Sequence, residues 1–426
     1  MSANPSVVAA AGRRWFLLGL ALLFVGLSVY HSFKAVQHRS AILRWLPQLN
    51  DDLDGVDISA RYNYPNPPVM AVILSPLSKL RPLYAALTWF YVKVALTFLV
   101  LVWVFRLVET PERPFPAWAK AVTILLSLRP IMSDLEHGNV NLFILFLVVA
   151  FLTLYRLGRD LSAGCVLALA VACKVTPALF VPYLVWKRSW RALAGCGVGL
   201  LLFLWPGFVP AAVLGWELNR TQLHSWYADM VRPFVVEGKV TSEHNNQSLP
   251  GLVYRLTTHS PSFSRYDENN QYQPTAYANL IDLSAEQARW LVKGCLVGFA
   301  LLVAWLCRTP TQPRYGWRLS AEFGVVLLGM LLFSERTWKH HCVTQVLPFA
   351  VLCYWLAVGR PSPVLRNLVI ASLALATLLI ATTSTGLLGI EVGKQAQVYG
   401  AFTLANLVLL AALLLILRRG AEGQGA

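Results

Sequence analysis

Charged residues are scarce in this sequence. Only 13% of its 426 residues are Asp, Glu, Lys or Arg, whereas 56% are hydrophobic and the mean hydropathy is +0.54. A soluble domain carries about 25% charged residues, so an ordinary soluble globule is excluded. Cysteine offers no framework either. All seven (Cys165, Cys173, Cys196, Cys295, Cys307, Cys342, Cys353) fall within or beside apolar runs, which excludes a disulfide-stapled ectodomain. No Cys/His spacing suits zinc, and neither a metal nor a cofactor is expected. No nucleotide-sugar motif is found, and no repeat at a fixed period, which weighs against transporters built from duplicated halves. The formal charge of +15 forms no basic patch on a soluble face, so nucleic acid is not an expected partner.

What the chain does have is apolar runs along its whole length, and a crossing helix needs about 20 such residues. Candidate spans are 15–32, 82–106, 115–133, 140–156, 192–215, 289–307, 319–334, 342–358, 365–388 and 397–417. Segment 161–186 is broken at Lys174 to Pro177 and reads as two short helices, up and back. The expectation is an all-α polytopic membrane protein with about 10–12 transmembrane or half-spanning helices, in one membrane domain over 1–426. The first span, flanked by Arg13 and Arg14 and lacking a small-residue cleavage site, reads as a retained helix. With the N-terminus in the cytoplasm, the inner loops collect Arg106, Arg113, Lys120, Arg156, Lys187, Arg188 and Arg308, the positive excess that insertion requires.

That topology puts the unusual polar clusters in outer loops 33–68, 129–141, 216–288 and 334–341. Asp54 and Asp57 lead: a carboxylate there can take the proton from an attacking sugar hydroxyl, and one base suffices for a single inverting displacement. A solvated acidic turn is the plainer alternative. Tyr62 and Tyr64 can stack on sugar or sit in the headgroup belt. Asp134, His137, Asn139 and Asn141 can bond hydroxyls or cap helices. Lys174 lies within an apolar run, where charge marks function or snorkels; Lys93 and Glu322 are similarly placed. Arg336, Lys339, His340 and His341 make a basic knot suited to a phosphate or to anionic headgroups. Glu243, His244, Asn246, Gln247 and Arg255 add a polar set from the long loop. Asn219 and Asn246 each begin a glycosylation sequon.

In these residues the chain resembles glycosyltransferase family 87 of the GT-C superfamily, the polyprenol-phosphate-mannose-dependent mannosyltransferases. The likeness runs through the acidic loop, Tyr62 to Pro68, His137 to Asn141, Gly164 to Lys174 and Pro177, Trp186 to Arg188, and Asn246 to Arg255. It implies a GT-C-type multi-helix membrane fold with an outward-facing site, a membrane setting, a polyprenyl-phosphate sugar donor (usually mannose) and a glycolipid or glycan acceptor. It also implies an Asp base in the first outer loop: Asp54 fits best, Asp57 comes second, and Asp51 and Asp52 remain alternatives. The loop departs from the family pattern, being shorter and lacking the Val-Tyr that usually follows the Asp. Lys174, Arg336, Lys339, His340 and His341 would offset the donor phosphate. Tyr62, Tyr64, Asp134, His137, Asn139, Asn141, Glu243, His244, Asn246, Gln247 and Arg255 would hold sugar. A transporter or flippase for a lipid-linked glycan is the competing class, and its ionisable residues should gather at the bilayer midplane. A ligase joining whole oligosaccharides is a third reading.

Overall fold

The computed structural model describes residues 40–266, 272–359 and 361–422, with most of 24–37 and parts of 18–22. The described part of the first expected span is helical; Arg13 and Arg14 lie outside the described residues. The chain is almost wholly α-helical, as its composition requires. Six described helices are long and apolar enough to cross a bilayer: Pro82–Val108, Trp190–Leu214, Ala285–Leu306, Lys339–Val358, Pro363–Thr382 and Ala401–Arg418. The expected span 365–388 ends early at Thr382, because Ser384 and the left-handed Gly389 (φ 82°) break the helical path.

At the centre lies Trp317–Leu332, with every residue from Leu319 to Leu332 buried. It packs against Ala401–Glu422, Val346–Val358 and Pro82–Val108, so protein rather than lipid surrounds it. Its one acid, Glu322, meets Lys187 at 2.7 Å, the Tyr183 hydroxyl at 2.7 Å and the Thr309 N–H at 2.6 Å.

Segment 160–186 forms the expected pair of short helices. Asp160–Cys173 has 14 residues, a rise of about 21 Å against a hydrocarbon core of about 30 Å. The return passes through a 3-10 turn, Thr176–Leu179, into Phe180–Trp186. Asp160 pairs with Arg314, and Lys187 donates to the Thr309 carbonyl at 2.6 Å. Both ends of the hairpin are therefore tied to one side of the bundle, and the turn at Lys174 stops partway across. Helix Asp160–Cys173 lies tightly against Trp190–Phe203. Gly164 faces the Ala192 and Cys196 backbone, and Gly195 faces Leu161, with no room for a Cβ at either glycine. This is small-residue packing of the kind membrane helices use.

Two elements were not foreseen. Ala41–Leu53 is an amphipathic helix whose buried face is Ile42, Leu46, Leu49 and Asp52. Within the long loop, Pro261–Tyr266 pairs antiparallel with Tyr272–Tyr277. The same loop ends, as expected, in a helix from Ala285, capped by Ser284 and Gln287 in a reciprocal box. Asn219 and Asn246, the sequon residues, are buried, which leaves neither side chain open to glycosylation.

Candidate active site

The hairpin turn places Lys174 at the core of the site. Helix Asp160–Cys173 ends when Lys174 turns extended (φ −162°, ψ 123°), and its ammonium donates to Asn141 Oδ1 at 2.6 Å. Asn141 opens helix Asn141–Arg156, and its Nδ2 donates to Asp134 Oδ1 at 2.9 Å. Asp134 Oδ2 accepts from Lys93 Nζ and the Leu142 N–H, both at 3.3 Å, while its carbonyl takes Lys93 Nζ at 2.6 Å. Lys93 and Asp134 are fully enclosed. Lys93 is thus paired rather than snorkelling.

Between the two helices that carry Asp134 and Asn141 stands Gly138, at φ 65°, where a side chain would collide with Ser40. This left-handed cap turns His137 and Asn139 toward the segment at 334–341. His137 stacks on His340 with ring centroids 4.8 Å apart. Asn139 Oδ1 accepts from the Val140 N–H at 2.7 Å, so its amide nitrogen donates to His340 Nε2 at 3.1 Å. The neutral His340 ring then carries its proton on Nδ1, a buried atom with no protein partner among the described residues. Lys174, Asn141, Thr176, Ser334, Thr337 and His341 line a small cleft. Arg336 lies 3.6 Å from Glu335 and over the rings of Phe234 and Trp338. Burial raises the Glu335 carboxyl, although Arg336 and Lys174 act against it. Lys339 is half-buried among Arg129, Glu136 and Lys34.

The acidic loop separates four carboxylates into different roles. Asp51 accepts the Tyr62 hydroxyl and Arg61 at 3.1 Å. Asp54 is exposed, and no side chain meets its carboxylate among the described residues. Asp57 caps helix Ile58–Tyr62, accepting from the Ser59 and Ala60 N–H groups at 3.0 and 3.1 Å, and takes the Ser225 hydroxyl at 2.6 Å. Asp52 is fully buried; Gln222 Nε2 donates to its Oδ1 at 2.5 Å, and Oδ2 is buried without a partner. Burial pushes the Asp52 carboxyl up to about 6, with the Gln222 bond opposing and Asp57 adding. An unpaired buried carboxylate oxygen is costly, and such perturbed groups concentrate at functional sites. The buried Tyr64 hydroxyl lies close enough to Asp52 and to Cys173, the neighbour of Lys174, for both to act on it.

The long-loop set takes another part. Arg255 is buried and donates to the carbonyls of Ser242, Glu243, Asn246, Gln397 and Val398. Gln247 bridges the His244 and Gln397 carbonyls and the Phe402 N–H. Asn246 joins Thr241, Glu335 and Thr337. Glu243 accepts the Ser264 hydroxyl, and His244 stacks on Phe263 at 4.4 Å. Asn246 and Gln247 hold segment 334–341 in place, Arg255 ties 242–246 to 397–398, and the five leave few polar atoms free for a sugar. Sequence reasoning missed Gln222, which carries no motif, and ranked Asp52 below Asp54. The stripe Ile42, Leu46, Leu49 would have marked position 52 as inward-facing.

Hydrogen bonds thus join 134–141 to Lys174 and His340, and 246–255 to 335–337 and 397–402, while a separate set ties 51–66 to 222–226. This is a helical membrane protein with a polar cleft lined by Lys174 and His341. Residues 64–334 match the sequence profile of glycosyltransferase family 87, and the chain belongs to that family. It is 27% identical over 412 residues to a polyprenol-phosphate-mannose-dependent alpha-(1-2)-phosphatidylinositol mannoside mannosyltransferase of Mycobacterium tuberculosis, covering 87% of this chain and 83% of the relative. A protein of the same description from Mycolicibacterium smegmatis is 26% identical over 334 residues, 75% of this chain and 67% of the relative. No solved structure matches the chain. The protein is a membrane glycosyltransferase.

Proposed function

We propose that this glycosyltransferase moves one hexose, mannose, from a polyprenyl phosphate to a hydroxyl of a glycolipid or glycan acceptor on the periplasmic or extracellular face, with inversion. The names of its relatives support the donor class. Asp52 is the general base in this reading: its unpaired Oδ2 takes the acceptor proton as the acceptor oxygen bonds to the anomeric carbon. The bond from that carbon to the phosphate oxygen breaks, and polyprenyl phosphate leaves with the electron pair. Lys174 and the Arg336–His341 segment offset the growing phosphate charge, and the buried Nδ1–H of His340 is a further donor for it. Asp54, exposed, and Asp57, spent on its helix cap, are the less suited bases. The prenyl chain lies beside Pro68–Ser78, an apolar helix of 11 residues, too short to span.

The observation that carries this reading is Asp52, a buried carboxylate with one oxygen left unpaired. The test is transfer of label from polyprenyl-phosphate mannose in membranes carrying the wild type, Asp52→Asn or Asp54→Asn. Loss of about 100- to 10,000-fold is expected for Asp52→Asn, the usual worth of a general base, with donor binding retained. If Asp54→Asn loses that much and Asp52→Asn does not, the base assignment is wrong.

A further inference from the structure

Asp134 and Asn141 suggest sugar-binding residues by type, yet both carboxylate oxygens of Asp134 and both the amide oxygen and nitrogen of Asn141 are already bonded to neighbours. Asp134 is fully buried and Asn141 nearly so. Each is committed to its neighbours in a chain running Lys93, Asp134, Asn141, Lys174. The direction of that chain follows from the chemistry of its members. A carboxylate only accepts and an ammonium only donates. The Asn141 amide must therefore present its NH2 to Asp134 and its oxygen to Lys174. One amide orientation satisfies both partners, and the reverse would break both bonds.

Resting on the donor reading above, we infer that Asp134 and Asn141 are positioning residues that aim the Lys174 ammonium at the donor phosphate, with Lys93 balancing the Asp134 charge inside the bundle. Lys174 has three N–H donors. Asn141 takes one, and the side chain lines the cleft with Thr176, Ser334, Thr337 and His341. The side chain sits at the blind end of a helix too short to reach across the bilayer. A phosphate drawn to it would leave its prenyl tail in the hydrocarbon layer and its sugar toward the acidic loop. The amide spacer also keeps Asp134 from forming an ion pair with Lys174. A direct pair would spend the cation; a hydrogen-bonded amide fixes its direction and leaves its charge for the ligand.

The test is equilibrium binding of undecaprenyl phosphate, without sugar, to the purified full-length protein in detergent. The variants are wild type, Lys174→Ala, Asn141→Ala and the double variant, each with its melting temperature. Each single change is expected to weaken binding about tenfold or more, the scale of one charge-assisted hydrogen bond. The double variant should bind no more weakly than Lys174→Ala, because Asn141 acts through the lysine. In turnover, Asn141→Ala should raise donor KM and leave acceptor KM unchanged. Where Asn141→Ala fails to fold, Asn141→Ser carries the same cycle. Unchanged affinity in the single variants, additive losses in the double, or losses that track melting temperature overturn the inference. If the wild type transfers sugar but does not bind undecaprenyl phosphate, the donor reading falls, and this inference with it. If the wild type binds and the cycle is additive, only the positioning role falls.

Discussion

Asp52 lies in the last turn of helix Ala41–Leu53, and Asp54 is the C-cap just beyond it. One ends in the protein and the other in water. Burial lifts the Asp52 carboxyl to about 6, and the sign of its effect follows. A base must be ionised, so turnover should fall as the pH drops through about 6 and level off above it. The same raised value means that the folded protein holds the proton more tightly than the unfolded chain. Asp52 therefore favours folding below about 4 and loses that contribution as the pH rises to about 6. Asp52→Asn removes an ionised buried group at neutral pH, so its melting temperature should equal or exceed that of the wild type while its turnover collapses. A pH–rate profile beside a thermal melt checks both. A melting temperature that falls in step with turnover would mark Asp52 as structural.

At the scale of the element, the short hairpin 160–186 and the brace at 242–258 do different work. The hairpin was legible because Lys174 and Pro177 interrupt an apolar run, and proline lacks the N–H a continuing helix needs. The brace was not, because Asn246, Gln247 and Arg255 are residue types that suit sugar or carbonyls equally. Only the fold brings five carbonyls around one guanidinium. Arg255→Lys keeps the charge but loses the planar fork, leaving carbonyls unpaired at about 1–3 kcal/mol each. The variant should lower unfolding stability by at least about 2 kcal/mol on that scale, read by denaturant titration in detergent. A change in donor KM with full stability would instead return Arg255 to the substrate. Gly138 is the second element-level control. Gly138→Ala places a side chain in the left-handed region, at about 1–3 kcal/mol, and against Ser40. It should destabilise the protein and displace His137 and Asn139 together.

At the scale of the whole molecule, two buried ion pairs lie within the helical bundle. Lys93 pairs with Asp134, and Glu322 with Lys187. Of the ionisable residues set within apolar runs, Lys93 and Glu322 are therefore paired, whereas Lys174 meets only the Asn141 amide. Lys187→Met should leave Glu322 uncompensated and cost about 3–5 kcal/mol; replacing both with apolar residues should recover most of it. Thermal melts of the two variants decide this. The membrane class, the helical fold and the sets of residues at the cleft could be read from hydropathy, proline breaks and clustered polar motifs. Which clustered residue is bonded to backbone and which keeps an unpaired polar atom could not, because that depends on contacts such as Gln222 with Asp52 and Gln397 with Arg255, more than 140 residues apart in sequence.

Transfer requires the lipid phosphate and the acceptor to meet at one site. The most direct measurement is an experimental structure of the protein with polyprenyl-phosphate mannose bound. The expected result is the phosphate within hydrogen-bond reach of Lys174 and the sugar's anomeric carbon turned toward Asp52. Lipid phosphate seated elsewhere, with Lys174 still bonded only to Asn141, would contradict it.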